Sequence, residues 1–102
     1  MPKGYALLTE AIHDREGMEA YKLASLAPLL EHDGKLLVVD EHVEALEGSW
    51  HGNRTVLVEF ESVERAHEWY ASASYQAVLP LRTAAADCQV VILSGRDQPP
   101  PS

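Results

Sequence analysis

Apolar residues gather in short alternating or continuous runs at four places in the chain, and recur three to four residues apart in the stretches between them. Gly4 to Ala11 (GYALLTEA) is apolar and β-rich and is closed by the polar pair His13-Asp14, which predicts a first strand. Asp14 is placed to cap a helix. From Arg15 to about Glu31, the residues Met18, Tyr21, Ala24 and Ala27, with Ala20, Leu23 and Leu30 alongside, recur at helical spacing and predict one buried face. Pro28 has no N–H to give and crowds the preceding turn, so a kink or a restart is expected there. Gly34 is placed as the left-handed residue that ends this helix.

Lys35 to Val39 (KLLVV) is an apolar run of strand length. The alternation from His42 to Leu46 extends it into a long, bent or interrupted edge strand. Gly48 to Asn53 (GSWHGN) carries turn residues, and Arg54 to Phe60 (RTVLVEF) alternates with β-branched residues, as a central strand does. Ser62 is placed to cap a helix through Ser72, with Val63, Ala66, Trp69 and Tyr70 on its inner face. Ser74 is placed to cap a further helical segment, Tyr75 to Ala86, interrupted by Pro80; Asp87 to Ser94 is the last strand.

The order strand, helix, strand, strand, helix, strand is the ferredoxin-like βαββαβ pattern, an α+β fold whose helices cover one face of a four-stranded antiparallel sheet. Leu7, Val39, Val56 or Leu57, and Val91 or Ile92 alternate with other apolar residues, so both sheet faces are apolar and the uncovered one calls for a partner sheet. With 102 residues the chain has room for one core, expected over residues 1–95 and followed by a disordered, proline-rich tail at 96–102. A domain of this size gains from burying a face against a second copy, so a homodimer is expected.

Charge narrows the partners. Acidic residues outnumber basic ones 16 to 8 and the basic ones are scattered, which argues against nucleic acid and against an anionic membrane surface. No apolar run reaches spanning length and the first residues lack a signal peptide's apolar core, so the expected location is cytoplasmic. One cysteine, Cys88, rules out an internal disulfide and reads as an inert, buried thiol.

Several spaced motifs together carry a family resemblance: Leu46-Glu47-Gly48-Ser49-Trp50, Val58-Glu59-Phe60-Glu61-Ser62, Ala66-His67-Glu68-Trp69-Tyr70, Ser74-Tyr75-Gln76 and Leu79-Pro80-Leu81-Arg82, with Lys3-Gly4-Tyr5 at the start. Over nearly its whole length the chain resembles the bacterial family catalogued as domain of unknown function 1330. That resemblance implies a dimeric α+β barrel, in a superfamily that includes cofactor-independent monooxygenases, muconolactone isomerases, polyketide cyclases and haem-binding members.

Glu59 interrupts the apolar run Val56-Leu57-Val58, so its carboxylate is a candidate general acid or base, or else half of an ion pair with Arg82 or Arg54. Arg82, on a mostly apolar segment, is a candidate for stabilising negative charge on a substrate, with a tie to Asp87 as the alternative. His51, on a glycine-flanked turn, is the candidate titrating base among five histidines. Tyr5, Tyr21, Trp50, Trp69, Tyr70 and Tyr75 are candidates for an aromatic wall around a planar ligand, or for ordinary core packing. His42-Val43-Glu44 places two ligand types on one strand face, which is too few for a metal site. No phosphate-binding glycine loop, nucleophile elbow or dinucleotide fingerprint is present, so neither metal nor nucleotide cofactor is expected.

These residues point to a cofactor-free enzyme that moves a proton on a small carbonyl, enol or carboxylate compound, as an isomerase, cyclase or lyase does, with Glu59 or His51 carrying the proton and Arg82 the charge. A non-catalytic ligand-binding or stress-associated dimer is the alternative, and pure assembly a third. An enzyme requires a cavity on which such groups converge; an assembly module fills that space with Trp69, Tyr70 and Leu81.

Overall fold

Residues 2–97 are described by a computed structural model, so the tail expected at 96–102 falls largely outside the described residues. The chain runs β1 (Gly4–Ile12), α1 (Arg15–Ala24), α2 (Leu26–Glu31), β2 (Lys35–Asp40), β3 (Arg54–Phe60), α3 (Val63–Ala71), α4 (Ala73–Ala85) and β4 (Ala86–Ser94). The strands form one sheet in the order β2-β3-β1-β4 with every neighbouring pair antiparallel, which is the ferredoxin-like α+β arrangement the pattern predicts.

Successive strand residues face opposite sides of a sheet, so the register sorts every residue by face. Ala6, Leu8 and Glu10 of β1 lie with Arg54, Val56, Val58 and Phe60 of β3 on the side the helices cover, and all seven are buried. Leu7 and Thr9 lie with Leu57 and Val91 on the open side, where Val91 and Leu93 are about half exposed, at 47% and 45%.

Helix starts follow their caps. The Asp14 carboxylate accepts from the Gly17 amide at 3.1 Å and opens α1, and the Ser62 hydroxyl accepts from the Arg65 amide at 3.1 Å and opens α3. The last helix starts at Ser72 and not at Ser74. The Ser72 hydroxyl accepts from the Tyr75 amide at 3.2 Å while donating to the Trp69 carbonyl at 2.7 Å, so one side chain ends α3 and begins α4. Helix α4 then continues through Pro80 without the expected interruption.

Four further expectations are corrected. The break in the first helical stretch falls at Ser25, three residues before Pro28, because Pro28 cannot donate to the Ala24 carbonyl one turn earlier. Ala20 and Leu23 lie on the face of α1 away from the buried Met18 and Tyr21, and Ala27 and Leu30 of α2 are exposed as well, the two leucines at 75% and 71%; Met18, Tyr21, Pro28 and Leu29 do the packing. The left-handed residue after α2 is Asp33, at φ 56°. Gly34 is required for space, since a Cβ there would press on Leu29 and on the Phe60 ring. Residues 41–53 hold no strand: the alternation at His42 to Leu46 sits on an exposed loop outside the buried core.

Candidate functional site

Glu10 and Arg54 are register partners on β1 and β3, both on the helix-covered side and both buried, with the Arg54 Nη1 donating to Glu10 Oε1 at 2.6 Å. Two charges are removed from water here. Such burial costs several kcal/mol per ion unless the remaining hydrogen-bonding positions are filled, and in this pair two are not: Glu10 Oε2 and Arg54 Nε have no partner among the described residues. Both residues form part of the wall of a cavity of about 240 Å³ between the sheet and α1–α2, whose lining is otherwise mainly Leu8, Val56, Val58, Leu26 and Leu29. Trp69 closes it from α3, and its indole Nε1 is the third buried polar atom without a partner.

Behind this wall lies a second polar chain. Tyr21, which also lines the cavity, shares a 2.8 Å hydrogen bond between hydroxyls with Tyr75, and Arg82 Nε donates to Tyr75 at 3.3 Å. Burial pushes the Tyr21 hydroxyl far above its ordinary pKa, so it stays protonated. Burial works against the Arg82 cation, but the Tyr75 hydroxyl and the Cys88 thiol more than offset it and hold its pKa above the usual value. The rings interlock: Trp69 lies 4.3 Å from Tyr75, centre to centre, and Tyr70 lies 5.6 Å from Tyr75.

The nine residues singled out from the sequence therefore divide by face. Arg82, Tyr21, Trp69, Tyr70 and Tyr75 come together on the helix side, whereas Glu59, Tyr5, His51 and Trp50 lie on the open side. Glu59 accepts from the Tyr5 hydroxyl at 3.1 Å and pairs with neither Arg82 nor Arg54. His51 Nδ1 is 2.7 Å from the Thr9 hydroxyl and the Trp50 indole donates to Thr55 at 2.8 Å, framing a second hollow of about 440 Å³ with Leu7, Ser49, Gln89 and Val91. Thr55 and Glu59 are four residues apart on one strand, about 13 Å, so His51 and Glu59 do not meet. Asp87 lies beside His51 at 3.9 Å and is not tied to Arg82. Among the described residues no three metal-ligating side chains gather, and His42 and Glu44 sit on the exposed loop.

Glu10 and Arg54 were missed, although a signal for them exists. Each occupies the strand parity of apolar residues, Glu10 after Ala6 and Leu8, Arg54 before Val56 and Val58. The loop ahead of β3 holds this end of β1 in place: Asn53 donates its amide to the Glu10 carbonyl at 2.8 Å, and its side chain meets the Ile12 amide at 2.9 Å. Gly52, at φ 85°, packs directly on the Glu10 backbone, where a Cβ would collide with the carbonyl.

A family model described as "Domain of unknown function (DUF1330)" matches residues 3–96. The chain belongs to this family. Among curated proteins none matches it. Solved structures share the fold of this DUF1330 chain at low identity. RPA0582, a protein of unknown function from Rhodopseudomonas palustris, superposes with a TM-score of 0.78 at 18% identity, over 95% of this chain and 85% of that one. SnoaB, a cofactor-independent oxygenase from Streptomyces nogalater, superposes at 0.65 and 9% identity over 99% and 100%. A dimeric protein of unknown function and ferredoxin-like fold from Bacteroides fragilis superposes at 0.61 and 11% identity over 90% and 95%. Among the described residues no helix is long and apolar enough to cross a membrane.

Proposed function

We propose that the protein is a cofactor-independent enzyme that moves a proton on a small organic molecule held in the helix-side cavity, with Glu10 as the proton acceptor and Arg54 steadying the charge left behind. One observation carries this reading: a carboxylate and a guanidinium, buried and bound to each other, belong to residues that line a mainly apolar cavity, and each has a hydrogen-bonding atom without a partner among the described residues. A carboxylate beside a carbon acid is a general base. An adjacent cation in a water-poor site lowers the energy of the enolate that forms. The cavity lies just below the volumes usual for drug-sized ligands, which suits a compound of one ring. Arg82 and the Tyr75 and Tyr21 hydroxyls act from behind the wall as positioning groups. Glu59 and His51, on the other face, take no part in the chemistry. The solved oxygenase of the same fold supports chemistry without a cofactor on this scaffold.

The open sheet face is assigned to a second copy of the chain. Leu7, Leu57, Val91 and Leu93 form its apolar centre, and ferredoxin-like relatives are described as dimeric. The first test is deuterium wash-in, followed by proton NMR, on a panel of enolisable ketones in D₂O. Exchange catalysed by the wild type and reduced at least a hundredfold in Glu10→Gln supports the enzyme. Binding of the same compounds without any catalysed exchange leaves a ligand-binding protein in its place.

A further inference from the structure

Resting on the assignment of the cavity as the site, a further property of the ligand follows from the cavity's mouth. We infer that the ligand is longer than the cavity and carries, on the end away from the reacting carbon, an uncharged hydrocarbon arm that leaves the cavity across Leu26 and Leu36.

The strand register shows where the helix layer stops. Leu36 pairs with Val58 and Val39 with Val56, so all four lie on the helix-covered side of the sheet. Val56 and Val58 are buried, whereas Leu36 and Val39 are 50% and 52% exposed. The helices therefore end over β3 and leave this side of the edge strand β2 open to solvent. Leu36 nevertheless lines the cavity, and so does Leu26 at the start of α2, itself 46% exposed. The two leucines stand at the mouth, while Leu8, Val58 and Trp69 are buried within.

Charge and area decide what covers them. The cations that line the cavity are Arg54 and Lys22, and both are paired, Arg54 with Glu10 at 2.6 Å and Lys22 with Glu19 at 2.9 Å. A carboxylate or phosphate on the outer end of a ligand would meet no unpaired cation there and would stand near Glu19. Leu26, Leu36 and Val39 together offer far less than the roughly 800 Å² a side that a stable protein interface buries. They match a short hydrocarbon chain instead. Each methylene taken out of water gains about fourfold in affinity when fully buried, and about twofold when one side stays wet.

Three probes of one skeleton test this on the full-length protein: acetophenone, 4′-butylacetophenone and 4-(4-acetylphenyl)butanoate, whose arm ends in a carboxylate. Binding is followed by the methyl signals of Leu8, Val56 and Val58, which line the cavity, and by titration calorimetry. The butyl compound is expected to bind at least about tenfold more tightly than acetophenone, and the carboxylate to lose that gain. In Leu26→Ser combined with Leu36→Ser, both half exposed already, the butyl-to-acetophenone ratio is expected to fall below about threefold. A wild-type ratio near one, with both compounds moving the methyl signals, overturns the arm and leaves the cavity as the site. An unchanged ratio in a variant that keeps the wild-type circular dichroism does the same, and a carboxylate that binds as tightly as the butyl compound overturns the uncharged end. If sedimentation velocity shows a wild-type dimer that the variant loses, the leucines belong to a second copy and the arm is overturned. If none of the three compounds moves those methyl signals, the cavity assignment falls and this inference falls with it.

Discussion

Arg82 donates to the hydroxyl of Tyr75 at 3.3 Å and is only 2% exposed, so a buried cation depends on a phenol and not on a carboxylate. The same hydroxyl binds that of Tyr21, which makes Tyr75 the pivot of the chain. Tyr75→Phe strips a partner from both neighbours and is expected to cost about 1–3 kcal/mol, the penalty for leaving buried polar groups unsatisfied. Tyr21→Phe leaves the Arg82 contact intact and should cost about 1 kcal/mol or less. Urea denaturation of the two variants decides the matter, since equal losses would show that Tyr75 is not the pivot.

The Glu10–Arg54 pair should trade stability for its role. Removing one partner strands the other charge, so Glu10→Gln is expected to lose about 3–5 kcal/mol, whereas Glu10→Leu combined with Arg54→Met should return to within about 1 kcal/mol of the wild type or exceed it. Thermal unfolding reads the stability and calorimetry the ligand. The double variant is expected to be stable and unable to bind.

Two glycines of the 41–53 loop share a left-handed backbone but not an environment. Gly48→Ala meets nothing within 4 Å and should cost about 1 kcal/mol of backbone strain. Gly52→Ala adds a collision with the Glu10 backbone and is expected to cost about 2–4 kcal/mol. Its ligand affinity should fall as well, because Glu10 must shift. Chemical denaturation together with ligand titration compares the two, and similar losses would remove the special role of Gly52.

Charges placed on the open sheet face should split a dimer without unfolding the chain. Val91 and Leu93 are already half exposed, so Val91→Asp with Leu93→Asp leaves the core untouched. Sedimentation velocity is expected to show the wild type as a dimer and the variant as a monomer with the same far-ultraviolet circular dichroism. A wild type that sediments as a monomer would remove the assignment of that face.

Cys88 should be a slow nucleophile. Burial raises its pKa, with Arg82 beside it opposing in part, so the folded thiol holds its proton more tightly than the unfolded one. That contribution favours the folded state below the ordinary value near 9 and is lost as pH rises through the higher folded value. At pH 8 a disulfide reagent such as dithionitrobenzoate is expected to label the native protein at least tenfold more slowly than the protein in guanidinium. Equal rates would show an exposed thiolate.

The fold was legible because its signals are local: the Arg54–Phe60 alternation, the caps at Asp14 and Ser62, and the turn residues of Gly48 to Asn53 each act within a few positions. The site was half legible. Tyr21, Trp69, Tyr75 and Arg82 stand out by residue type, and their elements bring them together. Glu59 stood out because its neighbours in sequence are apolar, yet those neighbours face the other way, and its own companions are Leu57 and Tyr5. Glu10 did not stand out within the Gly4 to Ala11 run, since its partner Arg54 lies 44 residues away and only the strand register joins them. Leu30 was misplaced because periodicity carried through Ser25 assumes one unbroken axis and the chain has two, and Leu23 because it lies off the Met18–Tyr21 face of α1.

The serine shared by α3 and α4 ties two helices together: its one hydroxyl is bound to the last turn of the first and the first turn of the next, and Trp69, Tyr75 and Arg82 stand on the two helices it joins. The opposite wall is joined at Ser25, whose hydroxyl donates to the Lys22 carbonyl at 3.1 Å in the last turn of α1 but caps nothing in α2, and Leu23 and Leu26 stand exposed where the cavity opens. For the ligand proposed above, the exposed leucines of α1 and α2 mark the side of entry, opposite the aromatic wall.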